Sequence, residues 1–173
     1  MRFIKDDIFA NNKEPTRLLV GLGLFAPGFV KPIKPVDLIA QVMTKMELST
    51  YLSLRLLIDN LGTTITSDSF IFSLPAGENL NKLKITGITV VGYNVHRPES
   101  LLSSLIKYAG KNYKEPVLKS PVIGITHGMV NTKEWLDLFR NIEYLMSHKE
   151  IVIVNNNEDI INELKTHYKV LAS

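Results

Sequence analysis

Pro121-Val122-Ile123-Gly124-Ile125 is a short apolar run, and the chain returns to one at Ile151-Val152-Ile153-Val154. Between them Thr126-His127-Gly128 breaks the pattern and Asn131 stands before a helical repeat. Trp135, Leu138, Phe139, Ile142, Leu145 and Met146 fall on one helical face. Lys133, Glu134, Asp137, Arg140 and Glu143 fall on the other. Asn131 suits an N-cap, with Glu134 three residues on, and Lys149 suits the negative end of the helix dipole. Two buried strands joined by a helix lie parallel with a right-handed crossover. The expected fold is therefore α/β: a mixed sheet with a C-terminal βαβ unit and helices packed on it.

Working outward, Asn155-Asn156-Asn157 offers a cap for a last helix buried through Ile160, Ile161, Leu164 and Tyr168. Upstream, Lys111 to Lys119 reads as a polar connection. Before it, Pro98 and Glu99 open a helix expected to bury Leu101, Leu102, Leu105, Ile106 and Ala109 and to end at Gly110. Phe70 to Leu74, Leu83 to Thr86 and Ile88 to Val95 alternate with period two, predicting strands at least partly antiparallel. Gly87 marks a bulge or tight bend between the last two. Pro35 suits the first turn of a helix with Val36, Ile39, Ala40, Met43 and Met46 inward. Ser49 or Thr50 caps a second helix, apolar on most sides and so expected to be central.

Arg17-Leu18-Leu19-Val20 reads as a strand running into Gly21-Leu22-Gly23-Leu24-Phe25-Ala26. That spacing matches a dinucleotide-binding turn, but Pro27, Gly28, Pro32 and Pro35 leave no helix to receive a phosphate. A bent strand or packed loop is the expectation. With 173 residues, 45% hydrophobic and 21% charged, the chain predicts one α/β domain over residues 1–173, with 1–17 as a candidate N-terminal arm. The N-terminus is too acidic for a secretion signal, and no apolar run reaches the roughly 18 residues of a membrane span. The expected location is cytoplasmic, or within an intracellular assembly or virion. Absence of cysteine removes disulfides and thiolate chemistry, and a net charge of +3 is too mild to argue for nucleic acid.

Candidate chemistry is sparse. His96, His127, His148 and His167 show no spacing that pairs two metal ligands on a helix, so no metal and no cofactor is expected. His127, just past an apolar run and beside Gly128, is the candidate catalytic residue, without a nameable nucleophile or orienting acid. Arg97 at a strand-to-helix junction is a candidate anion ligand. Lys107, Tyr108, Lys111, Tyr113, Lys114 and Lys119 interleave cations with rings, as a phosphate or single-strand binding surface would. Asp6-Asp7, after Phe3-Ile4, is a candidate strand-end acidic pair.

Two resemblances follow from these motifs. Gly21-Leu22-Gly23-Leu24-Phe25-Ala26-Pro27, Tyr51-Leu52-Ser53-Leu54-Arg55-Leu56-Leu57 and Ile85-Thr86-Gly87-Ile88-Thr89-Val90, read in order, resemble the effector domain of AbiEi-type antitoxin and regulator proteins. The twenty residues before Gly21 cannot hold that family's winged-helix DNA reader. The resemblance thus implies a non-catalytic regulatory or assembly protein acting through a protein partner or homo-oligomer, with nucleic acid as a second candidate partner. Leu74-Pro75-Ala76-Gly77 and Ile123-Gly124-Ile125-Thr126-His127 resemble the closing part of a polysaccharide deacetylase, with Asp6-Asp7 as its acidic metal motif. Because no histidine precedes His96, this second resemblance implies a relative without a complete metal site.

Overall fold

A computed structural model describes residues 1–64, 67–148 and 150–173. In chain order its elements are β1 (Arg2–Lys5), β2 (Thr16–Ala26), β3 (Phe29–Val30), α1 (Leu38–Lys45), α2 (Leu48–Asp59) and α3 (Leu61–Thr64). Then come β4 (Phe70–Pro75), α4 (Glu78–Asn81), β5 (Ile85–Asn94), α5 (Pro98–Ala109), β6 (Val117–Ser120), α6 (Thr132–Ile142), β7 (Glu150–Asn155) and α7 (Glu158–Ala172). Among the described residues, seven strands form one sheet ordered β1-β7-β6-β2-β5-β4, with β3 hooked onto the end of β2. The strands from β1 to β5 run parallel, while β4 is antiparallel at the edge. The mixed α/β architecture and the parallel βαβ unit are as expected from the apolar pattern.

The crossover runs β6-α6-β7, and its first strand lies earlier than the apolar run suggests. Val117 to Ser120 pair with Glu150 to Ile153, and Pro121, which has no N–H to donate, ends the ladder. Val122 and Ile123 are buried in a loop, not a strand. Gly124 (φ 89°) and Gly128 (φ 66°) adopt left-handed conformations on either side of a 3-10 turn, Ile125–His127. The segment read as a polar connection contains β6 because Lys119 and Ser120 are buried despite their polarity. Helix α6 begins as predicted, with the Asn131 side chain accepting from the Glu134 amide at 2.8 Å. Met146 is buried and Leu145 is half exposed. Lys149 lies outside the described residues.

Each face of the sheet carries its own core. Trp135, Leu136, Phe139, Leu101, Leu105, Ile161 and Leu164 bury one face beneath α5, α6 and α7. Ile39, Val42, Met43, Leu54 and Ile58 cover Leu18, Val20, Leu22 and Leu24 on the other. Leu18, Val20, Leu22 and Leu24 alternate with Gly21 and Gly23 along β2, so this segment is a strand and not a loop, with its register shifting at Thr16/Arg17 and at Leu24/Ala26. Residues 2–5, placed by sequence in a polar arm, are edge strand β1.

Two helices depart from expectation. Helix α1 starts at Leu38, three residues after Pro35, and Val36 is exposed. Helix α2 is not central: only Leu54 and Ile58 are buried, while Leu48, Leu52 and Leu56 form an outward stripe. In α5, Ile106 is half exposed, and Ser100, Ser104 and Tyr108 occupy the inner face with Leu101 and Leu105. Near Gly87 the β2–β5 register shifts between Thr16 and Arg17, which makes the expected irregularity. Any side chain at Gly87 would collide with the Arg17 guanidinium.

That guanidinium anchors a buried polar cluster. Arg17 Nε donates to Glu115 Oε1 at 2.8 Å, Nη1 donates to Thr89 at 3.0 Å, and the group lies 4.2 Å from the Tyr113 ring centre. Tyr113 stacks on Tyr108 at 5.1 Å, and His148 stacks on both. Burial, reinforced by Arg17, pushes the His148 imidazole down to about 4 from its ordinary 6.5. The fold therefore favours neutral His148, and the stability this gives is full above about pH 6.5 and is lost as pH falls toward 4. Lowering the pH from about 7 to about 5 should cost roughly 2 kcal/mol through this residue. Calorimetric unfolding of His148→Gln should lack that component, so the gap in stability between the two pH values narrows relative to the parent protein.

Candidate functional site

The open end of the sheet is set by where the strands stop. Strand β2 pairs with β6 only from Thr16 to Leu18, but with β5 from Thr16 to Leu24. Beyond Leu18 the β6 side of β2 is a notch, and β3 closes it only at Leu24 and Ala26. The chain leaving β2 turns toward α1 on one face, and the chain leaving β6 turns toward α6 on the other. Such a divergence at the carboxyl ends of parallel strands leaves a crevice that no helix fills.

A cavity of about 160 Å³ occupies the notch. Its floor is Gly21 and Gly23 from β2 and Tyr93 from β5. One wall is the 121–127 loop, and the other is Lys31 to Gln41 leading into α1. Space is tight above both glycines, more so at Gly21 than at Gly23. A Cβ on Gly21 would lie 2.9 Å from Ile123 Cγ2, and one on Gly23 would lie 3.1 Å from Val95 Cγ1 and 3.6 Å from His127 Nε2. Gly21 thus lets the loop press onto the strand and Gly23 lets Val95, just after β5, do so, a role different from a phosphate turn opening a helix.

A second cavity of about 590 Å³ adjoins the first, sharing Leu38, Gln41 and Pro121. It is lined by Asp6, Asp7, Ile8 and Phe9 after β1 and by Val154, Asn155 and Asn156 at the end of β7. Together the two make one groove across the carboxyl ends of β1, β7, β6 and β2. Asp7 Oδ1 accepts from the Phe9 amide at 3.0 Å, and the other oxygen has no partner among the described residues. The Asn11 amide and the Asp7 N–H hold the Asp6 carboxyl below its usual range. Lys45 Nζ lies 4.8 Å over the Phe9 ring.

Both ends of the groove carry mixed charge: Lys45 stands with Asp6 and Asp7, and Asp37 stands with Lys31. Asp6 and Asp7 mark one end, and Lys31 and His127 mark the other, with Lys34 close enough to act on His127. His127 is half-buried, its ring 6.2 Å from that of Tyr93. Burial, then Lys31 and Lys34, pull its imidazole below the ordinary value against an opposing pull from Asp37, so it is neutral at pH 7. Asp37, the carboxylate in this cavity, accepts from the Lys34 amide at 2.8 Å. Burial, aided by Asp37, raises the Tyr93 phenol and keeps it protonated.

The other candidate residues lie elsewhere. Arg97 pairs with Asp68 and Glu99, both at 3.1 Å, tying the end of β5 to the segment before β4. Lys107 donates to the Ser69 carbonyl. Tyr108 is buried, with its ring faces against Tyr113 and His148. Lys111 and Lys114 are exposed nearby. None of these lines the groove. His127 and the Asp6-Asp7 pair do border it, at opposite ends and in different cavities. No group of three His, Asp or Glu among the described residues is placed to hold a metal ion. Lys31, Asp37 and Tyr93 had no local motif to mark them. The one available signal was the abrupt loss of side chains at Gly21 and Gly23 inside a buried strand.

No protein-family model and no curated protein sequence matches this chain. Solved structures do. A mutant of the Oceanobacillus iheyensis macrodomain with ADPR has a TM-score of 0.69 and 11% identity, covering 98% of this chain and 92% of that one. The same macrodomain with ADP gives 0.69 and 11%, over 98% and 90%. With MES bound it gives 0.68 and 10%, over 98% and 90%. The fold is therefore that of a macrodomain.

This finding overturns the AbiEi-type and deacetylase resemblances, and with them the antitoxin, regulator and assembly readings of function. The motifs behind the first are explained by the sheet: two glycines facing a loop, a surface helix and a central strand. Those behind the second are the turn from edge strand β4 into α4 and the 3-10 turn holding His127. No described helix is long and apolar enough to cross a membrane. A histidine-selective NMR titration should place the His127 midpoint below that of a free imidazole. Lys31→Ala should move it upward, because a repelling cation is gone; no movement would mean Lys31 does not act on that ring.

Proposed function

We propose that the groove binds ADP-ribose or a closely related nucleoside diphosphate. The observation that carries this reading is the placement of binding groups along the groove: an Asp7 oxygen able to accept at one end, a lysine and a tight turn at the other. A base with an exocyclic amine suits the Asp7 end, where a carboxylate oxygen lies beside Ile8, Phe9 and Val154. A diphosphate suits the other end, where Gly124, in a left-handed conformation at the head of a tight turn, lines the cavity and Lys31 supplies positive charge. Both termini of such a ligand then meet groups able to bind them. The structural neighbours with ADPR and ADP support the same class of ligand.

Titration calorimetry with ADP-ribose, ADP and adenosine tests this directly. ADP-ribose and ADP should bind, and adenosine, lacking phosphate, should bind at least about tenfold more weakly, or about 1.4 kcal/mol. Gly23→Ala, whose methyl would narrow the floor of the notch at the cost of a small shift of Val95, should weaken ADP-ribose binding by about tenfold while leaving the fold intact by circular dichroism. Asp7→Asn should weaken ADP-ribose and adenosine by a similar factor. Absence of heat with ADP-ribose from the folded parent protein overturns the reading.

A second reading, hydrolysis of an ADP-ribosyl bond in the same groove, is favoured by His127. A neutral, half-buried imidazole at the diphosphate end is a proton-transfer group in the right state at pH 7. Release of ADP-ribose from a modified peptide is the assay. If turnover occurs, His127→Gln should lower the rate by about 100-fold or more.

A further inference from the structure

Between α5 and α6, behind the 121–131 loop, lies a concave surface separate from the ligand groove. Its floor is apolar, with Pro98, Leu102, Val130 and Leu138 around a cavity of about 290 Å³. Its rim carries Glu99, Glu134 and Asp137, and no lysine or arginine lines it. Glu99 is paired with Arg97 at 3.1 Å and Asp137 with His167 at 2.8 Å, each through one oxygen. The Glu134 carboxylate has no partner among the described residues. The result is an apolar seat under a net negative rim.

Its location ties it to the groove. Val95 and His127 close over Gly23 at the diphosphate end. Pro98 is three residues beyond Val95, and Val130 is three residues beyond His127. Two three-residue stretches of chain therefore connect the second surface to the residues around Gly23. The two also differ in charge: Lys31, with Asp37, stands where phosphates would lie, while the second surface is lined by three acids and no lysine or arginine. One extended ligand with an anionic part and a cationic part fits both, and a nucleic acid does not fit the acidic rim.

We propose that this surface seats a basic segment of a polypeptide that carries an ADP-ribose group, with an aliphatic side chain in the floor and lysine or arginine against the rim. The inference rests on the ADP-ribose reading of the groove and names the carrier as a basic protein chain. Binding of the nucleotide and of the carrier then add through the shared linkage, so the joined ligand outcompetes the free nucleotide. The carrier's share is electrostatic in part and weakens with salt.

The test uses three probes on the full chain: free ADP-ribose, a lysine-rich peptide with one leucine and ADP-ribose on a central serine, and an acidic peptide of equal length modified in the same way. The basic carrier should bind at least about tenfold tighter than free ADP-ribose, and the acidic carrier no tighter than it. Leu102→Ser and, independently, Glu134→Gln should each shrink the basic carrier's advantage without changing the affinity for free ADP-ribose; using both guards against one variant failing to fold. If ADP-ribose binds but the two carriers are indistinguishable, or if both folded variants keep the full advantage, the docking surface is wrong while the groove stands. If ADP-ribose itself does not bind, the reading of the groove fails and the proposed carrier falls with it.

Discussion

Strand β2 continues for eight residues after its neighbour β6 has stopped, and the candidate site exists because of that mismatch. Lys119 is the last residue of β6 to pair with β2, opposite Leu18. Pro121, two residues later, cannot extend the ladder. On its other side β2 stays paired with β5 as far as Leu24. A strand held rigidly along one edge and released along the other makes a firm floor for a notch. The loop replacing β6 is then free to form its turn through Gly124 and Gly128.

The chemistry follows from this geometry. Parallel strands bring their carboxyl ends to one side, so Asp6 and Asp7 after β1, His127 after β6, and Asn155 at the end of β7 all border one groove although they are distant in sequence. The polypeptide leaving β2 adds Lys31 and Asp37 from the opposite wall. Burial beneath these walls keeps His127 neutral and Tyr93 protonated. Both effects come from the shape of the notch as much as from neighbouring charges. The buried Arg17–Glu115 pair and the aromatic stack beside it lie on residues that do not line the groove, and they join β2 and β5 to the segment entering β6.

Much of the architecture was legible in local pattern. The alternation in β4, the Asn131 and Asn157 caps, and the β-branched run of β7 each identified an element, because burial on a sheet leaves a period of two or a fully apolar run, whereas the two runs read on either side of Gly87 are the single buried strand β5. The failures have equally local causes. Strand β6 was hidden because its sequence, Val117-Leu118-Lys119-Ser120, is half polar, while the apolar Val122 and Ile123 next to it are buried by a loop. Helix α2 looked central because hydrophobicity alone does not report which leucines are covered. The glycines of β2 were noticed but not understood, since the partners that need the space, Ile123 and Val95, come from elsewhere in the chain. The groove depends on strand order, which no single stretch of residues encodes.

The most direct test of the central claim, that the notch beside β2 and the cavity after β1 form one ligand groove, is backbone amide chemical-shift mapping with ADP-ribose. The account predicts that perturbations fall together on residues 7–9, 21–23, 124–128 and 154–156 and saturate at one common affinity. Perturbations confined to one end, placed at the opposite end of the sheet, or saturating at two unrelated affinities would contradict it.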